Sequence, residues 1–176
     1  MIRIITAGDR KIMQLLNQWH APRWIRKWMI LATRAGDGWL WLVIGLVVLL
    51  FGDEHRFDAL RAAFAALVAG QLVFLILKRL IGRERPCATE QHCWAKLLPP
   101  DRFSFPSGHT ITAFCLAIPI GLYYPKLLLG GLIFCALSIA ASRILLGLHY
   151  LSDVLAGIVI GTAIGYAAFV LLAPGL

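Results

Sequence analysis

The stretch ALRAAFAALVAGQLVFLILKRLI, Ala59–Ile81, decides the class of fold. A membrane-crossing helix takes about 20 predominantly apolar residues, and this run supplies them before reaching Lys78 and Arg79 near its end. Working outward, further apolar runs cover Gly38–Gly52, Ser107–Tyr124, Lys126–Leu146 and Leu151–Ala173. The first of these is short for a span, but it opens with Trp39 and Trp41, residues suited to the interfacial belt. The third and fourth runs of the chain meet at Tyr124-Pro125-Lys126, where proline ends a helix. With 60% hydrophobic and 15% charged residues, the chain has too little polar surface to coat a water-soluble globule. The expected fold is an all-α integral membrane protein with about five transmembrane helices.

Residues 1–35 read differently. Arg23, Arg26, Lys27 and Arg34 interrupt every apolar stretch, while Ile12, Leu15, Leu16, Trp19, Trp24, Trp28 and Leu31 recur near helical spacing. This pattern predicts one or two amphipathic helices in the headgroup layer, broken near Pro22. No continuous apolar segment precedes a small-residue cleavage site, so a cleavable signal peptide is not expected. The 176 residues leave room for one domain, divided into an interfacial segment, 1–35, and a helical bundle, 36–176.

Five crossings carry a topological consequence. The end of the second apolar run, the start of the third, the end of the fourth and the start of the fifth emerge on one membrane face. Those ends hold the polar residues that stand out. Lys78, Arg85 and Arg143 are cations at or near membrane depth, where a charge is costly and is a functional candidate by default. A phosphate group offsets that cost: arginine's fork holds two of its oxygens and lysine adds a point charge. Taken singly, each cation is equally well read as a snorkelling interfacial charge. Pro106-Ser107-Gly108-His109 falls where a loop enters a helix, a start whose N–H groups can face an anion. His149 and Asp153 lie four residues apart, on one helical face if the last helix begins early enough. Asp153 accepting the protonated ring nitrogen leaves the other nitrogen of His149 free to attack phosphorus. His109 is then the candidate proton donor to the leaving oxygen and the activator of water.

Lys78 with Arg85-Pro86, then Pro106-Ser107-Gly108-His109, then Ser142-Arg143 with His149 and Asp153, resemble the three motifs of the type 2 phosphatidic acid phosphatase (PAP2) superfamily. That family includes bacterial membrane lipid phosphate phosphatases and soluble vanadium haloperoxidases. The resemblance implies metal-independent, cofactor-free hydrolysis of a lipid phosphate or diphosphate through a phosphohistidine. It carries Lys78, Arg85, Ser107, Gly108 and Arg143 over as phosphate binders, His109 as acid/base, His149 as nucleophile and Asp153 as its partner, with Ser142 in support. It also implies a six-span pattern, of which this chain lacks the first span. Undecaprenyl diphosphate, phosphatidylglycerol phosphate, phosphatidic acid and phosphorylated lipid A are all candidate substrates. Rival readings are a lipid phosphotransferase with the same site and a non-catalytic lipid-binding protein, the latter leaving His109 and the His149/Asp153 pair without a purpose.

The facing of the site draws on opposing signals. The first 35 residues carry seven Lys/Arg on the motif side, which by the positive-inside rule points to the cytoplasm. Cys87 and Cys93 are close enough in sequence for a small disulfide, which persists only in an oxidising compartment. With the family pattern, this favours an inner-membrane protein whose site faces the periplasm or exterior. A zinc site using His92 does not match a structural ligand set. His92, Trp94, Lys96 and Arg102 are available to a headgroup, or equally as interfacial anchors. The net charge of +8 is scattered over interfaces and motifs, so anionic membrane lipid rather than nucleic acid is the expected partner. Gly157, Gly161 and Gly165 form a small-residue stripe that reads as packing within a bundle, in a protein compatible with a monomer.

Overall fold

The computed structural model describes residues 2–89 and 102–173. These form α1 (Ile2–Gln18), α2 (Arg23–Ala35), α3 (Trp39–Phe51), α4 (Arg56–Ile81), a short α5 (Pro86–Thr89), α6 (Gly108–Tyr123), α7 (Lys126–Leu145) and α8 (Leu151–Leu172). Among the described residues the only β pairing is an isolated antiparallel bridge between Glu84 and Phe103, which closes the base of the loop after α4. The Cys87–Cys93 pairing and the residues His92, Trp94 and Lys96 depend on positions outside the described residues.

The apolar runs become helices almost at their expected bounds, and the chain is an all-α integral membrane protein. Helices α4, α7 and α8 are each long and apolar enough to cross a bilayer. The Gly38–Gly52 run yields only 13 helical residues, α3, or about 20 Å of rise, short of the hydrocarbon thickness. It reaches spanning length together with α2, in a pair bent by 64°. The bend lies at Gly36-Asp37-Gly38. Gly38 takes φ 116°, open to glycine without strain, while a Cβ on Gly36 would stand 2.9 Å from Ile139 Cγ2 and 3.0 Å from His109 Cδ2. Helix α2 keeps Trp24, Trp28 and Leu31 exposed and buries Met29, Ala32 and Thr33 on the side packed against α7. Trp39 is exposed as expected of an interfacial residue, whereas Trp41 is buried in the core, because the helix turns that face toward the bundle.

Helix α6 has 16 residues and runs through the middle, packed against α4, α7 and α8. Small residues let its neighbours approach. A Cβ on Gly157 would lie 2.9 Å from Thr110 Cβ, one on Gly161 2.8 Å from the Ile111 carbonyl oxygen, and one on Gly165 3.1 Å from Ile118 Cβ. Gly70 of α4 faces Cys115 in the same way, at 2.6 Å from Sγ. The α8 stripe therefore packs inside the bundle. In hydrocarbon, where burying apolar surface gains little, such close van der Waals packing is what holds helices together. Leu42, Leu50, Phe64, Leu80, Leu127 and Leu171 remain exposed, as a lipid-facing surface requires. The ends of α4 and α7 and the starts of α6 and α8 meet at one end of the bundle, as the alternation of crossings predicts.

Candidate active site

At that end, Arg85, Ser107, Arg143, His149 and Asp153 are all buried. Arg85 follows α4 in the loop held by the Glu84–Phe103 bridge, and its Nη1 donates to the Leu148 carbonyl at 2.9 Å. The same nitrogen lies 3.0 Å from His149 Nε2. Because the guanidinium only donates, Nε2 is the acceptor and the ring proton belongs on Nδ1. Nδ1 donates to the Ser104 carbonyl at 2.6 Å. Burial pushes the His149 pKa down to about 4, against the opposing pull of Asp153, so the ring is neutral near pH 7.

The His149/Asp153 pairing departs from expectation. Tyr150 is the extended N-cap of α8, so His149 precedes the helix and does not share a helical face with Asp153. Asp153 takes the third helical position and caps: its Oδ2 accepts from the Tyr150 N–H at 2.9 Å, while standing 3.8 Å from His149 Nδ1. The near acceptor of the ring proton is thus a backbone carbonyl, with Asp153 as a charge behind it. Ser107 departs similarly. It occupies the N-cap of α6 without a side-chain cap, its hydroxyl accepting from Thr110 Oγ1 at 2.9 Å and its N–H donating to the Asp153 carbonyl at 3.1 Å. Ser142 back-bonds to the Ile139 carbonyl at 2.6 Å and is wholly buried, a structural position.

The remaining cations and His109 border the same space. Lys78 Nζ lies 4.6 Å above the Phe74 ring, drawn back along α4, and Phe74 in turn packs where a Cβ on Gly108 would be 2.9 Å away. Arg143 Nη1 donates to Thr33 Oγ1 at 2.6 Å. His109 Nε2 lies 2.8 Å from Asp37 Oδ1, at the bend between α2 and α3. The first N–H groups of α6 have no intrahelical acceptor and lie at its positive end. Lys78, Arg85, Gly108, His109, Arg143 and His149 together line the head of one groove of about 1280 Å³, whose length is walled by apolar residues of α3, α4 and α6.

Four residues around these groups are not in the motifs. Asp9 and Thr33 come from the segment whose composition suggested only membrane contact, and Asp37 from the bend just after it. Arg83 lies inside the first motif region: it donates to Asp153 Oδ1 and Asp9 Oδ2, both at 2.8 Å, and to Ser152 Oγ at 2.7 Å, and stacks 3.9 Å over the Tyr150 ring. Asp9 also accepts from the Ser152 N–H at 3.1 Å. A lone acid on an otherwise basic amphipathic helix was the available signal for Asp9. Arg102 pairs with Glu84 at 3.3 Å, outside the site.

A polar centre of this kind, sunk into one end of a membrane helix bundle and continuous with an apolar groove, defines the class of helical membrane phosphatases. Within that class the chain belongs to the PAP2 superfamily, whose profile matches residues 59–174. It is 34% identical over 129 residues to decaprenylphosphoryl-5-phosphoribose phosphatase of Mycobacterium tuberculosis, covering 71% of this chain and 67% of that one. It is 30% identical over 163 residues to lipid A 1-phosphatase of Rhizobium etli, covering 78% and 69% respectively. Among solved structures, Aquifex aeolicus LpxE superposes with a TM-score of 0.76 at 23% identity, covering 90% of this chain and 92% of that one. At that identity the likeness concerns the fold.

Proposed function

We propose that the chain is a lipid phosphate phosphatase acting through a phosphohistidine on His149. The observation that carries this is the fixed tautomer of that ring, with Nδ1 bound to the Ser104 carbonyl and the Nε2 lone pair aimed at Arg85 where the groove begins. A phosphoryl group entering there draws Arg85 onto its oxygens and releases Nε2. The lone pair of Nε2 attacks phosphorus, and the bond to the ester or bridging oxygen breaks. His109, entering this step protonated on both ring nitrogens with Nε2–H on Asp37, gives that oxygen the proton of Nδ1. Positive charge on the phosphorylated ring is balanced by the Ser104 carbonyl and by Asp153 behind it. His109, now basic and held by Asp37, takes a proton from water, whose oxygen displaces His149 and frees inorganic phosphate. Lys78, Arg85, Arg143 and the amides of Gly108 and His109 hold the equatorial oxygens.

The apolar groove supports a substrate whose tail remains in hydrocarbon while its phosphate reaches the polar head. The test is phosphate release by the detergent-solubilised protein from a panel of lipid phosphates and diphosphates, with chelator present. Activity lost in a correctly folded His149→Ala variant supports the mechanism, and near-native activity in that variant refutes it. Placement in a bacterial inner membrane with the site facing the periplasm or exterior is part of the same proposal, supported by the closeness of Cys87 and Cys93 in sequence. In spheroplasts, an impermeant thiol reagent should reach Arg102→Cys without permeabilisation; labelling only after permeabilisation reverses the orientation.

A further inference from the structure

Inside the groove, one pair of residues is polar where the mechanism has no use for polarity. Gln71 of α4 and Thr112 of α6 both line the cavity and are partly exposed to it, and Gln71 Nε2 donates to Thr112 Oγ1 at 2.7 Å. That bond uses one of the two amide protons, which leaves a second N–H and the carboxamide oxygen on a side chain that lines the cavity. Thr112 is three residues beyond His109, about 4.5 Å deeper along α6. Lys78 Nζ, folded back over Phe74, keeps the phosphate end only about one turn above Gln71 as well. One turn further from the phosphate end, Leu67 and Leu116 are apolar.

We propose that Gln71, oriented by Thr112, forms a subsite for the first acyl carbonyl of the substrate, one helical turn below the phosphate. The proposal rests on the phosphatase reading and narrows its substrate to an acyl-bearing lipid phosphate. A chain that is hydrocarbon from its first carbon, such as a polyprenyl phosphate, would leave the amide unanswered in an apolar wall. A single ester or amide carbonyl, needing one donor, matches the single amide proton on offer.

The test compares two lipids that differ only in that carbonyl: diacyl phosphatidic acid and its dialkyl ether analogue. The native protein should turn over the diacyl lipid with a kcat/KM about 3- to 10-fold higher, the effect of one neutral hydrogen bond in a site excluding water. Gln71→Leu should bring the ratio of the two toward one, with the change in KM. Thr112→Val, which removes the interhelical bond and leaves the amide in the groove, should keep the diacyl lipid ahead. A native ratio of one overturns the proposal, as does a Gln71→Leu variant that slows both lipids alike, since that is what a purely structural pin between α4 and α6 would do. If neither lipid releases phosphate, the wider panel of lipid phosphates decides the hydrolase reading separately, and the same ratio measured as binding of the two lipids to His149→Ala decides the subsite.

Discussion

Replacing Arg83 by leucine strands two carboxylates. Arg83 contacts Asp9 and Asp153 at 2.8 Å each; Asp9 is 5% exposed and Asp153 is fully buried. Removing one partner of a buried ion pair costs about 3–5 kcal/mol, because the other charge keeps its desolvation penalty. The Arg83 side chain is itself 17% exposed, and Asp153 retains the Tyr150 N–H, so the lower end applies. About 3 kcal/mol is a large part of a typical folding stability, and at this chain length it lowers a thermal midpoint by roughly 6–12 °C. Thermal unfolding in one detergent, followed by near-ultraviolet circular dichroism, reads this directly. Adding Asp9→Asn to Arg83→Leu removes one stranded charge and should restore about half of the loss, a non-additive result expected of residues in contact. The reasoning fails if Arg83→Leu unfolds within about 2 °C of the native protein, the shift of a solvated surface pair, or if the double variant loses the sum of the two single effects.

Three further outcomes rest on the packing and the site. Gly161→Ala should destabilise the bundle by about 1–3 kcal/mol, because its Cβ meets the Ile111 carbonyl oxygen, which cannot rotate away. Gly130→Ala, with nothing within 4 Å, should instead raise stability by roughly 0.5–1 kcal/mol through helix propensity, and thermal unfolding of both variants separates the cases. For His149, the folded pKa of about 4 lies below the ordinary 6.5, so as pH falls the unfolded chain takes up the proton first. The stability this contributes is present above pH 6.5 and is lost between pH 6.5 and 4. Histidine ¹⁵N NMR at pH 6 should find this ring neutral with its proton on Nδ1; a midpoint near 6.5 would mean the ring is solvated.

Much of the bundle was legible because a bilayer simplifies the code. Every backbone polar group in hydrocarbon must be paired within its segment, so an apolar run of sufficient length has to be a helix. Tyr124-Pro125-Lys126 marked a boundary because proline lacks the N–H a continuing helix needs, and α6 does end at Tyr123 with Pro125 at the N-cap of α7. Alternate crossings then brought Lys78, Arg85, His109, Arg143 and His149 to one end without any knowledge of packing. The Gly38–Gly52 run was harder, since length alone cannot say whether a short helix spans or continues a neighbour.

By itself the sequence determined the solvent, the helices, the end of the bundle where the polar groups collect, and the family to which the chain belongs. Those are properties of local composition and of residue types at fixed spacing. Only the tertiary structure decided that the His149 proton goes to the Ser104 carbonyl, that Arg83 ties Asp153 to Asp9, that Asp37 meets His109, and that Gln71 faces a groove. Each of these joins residues far apart in the chain. Their distance and direction depend on where α8 starts, how α2 and α3 bend, and how closely glycines let α4 and α8 approach α6, none of which is written at the positions of the residues that meet.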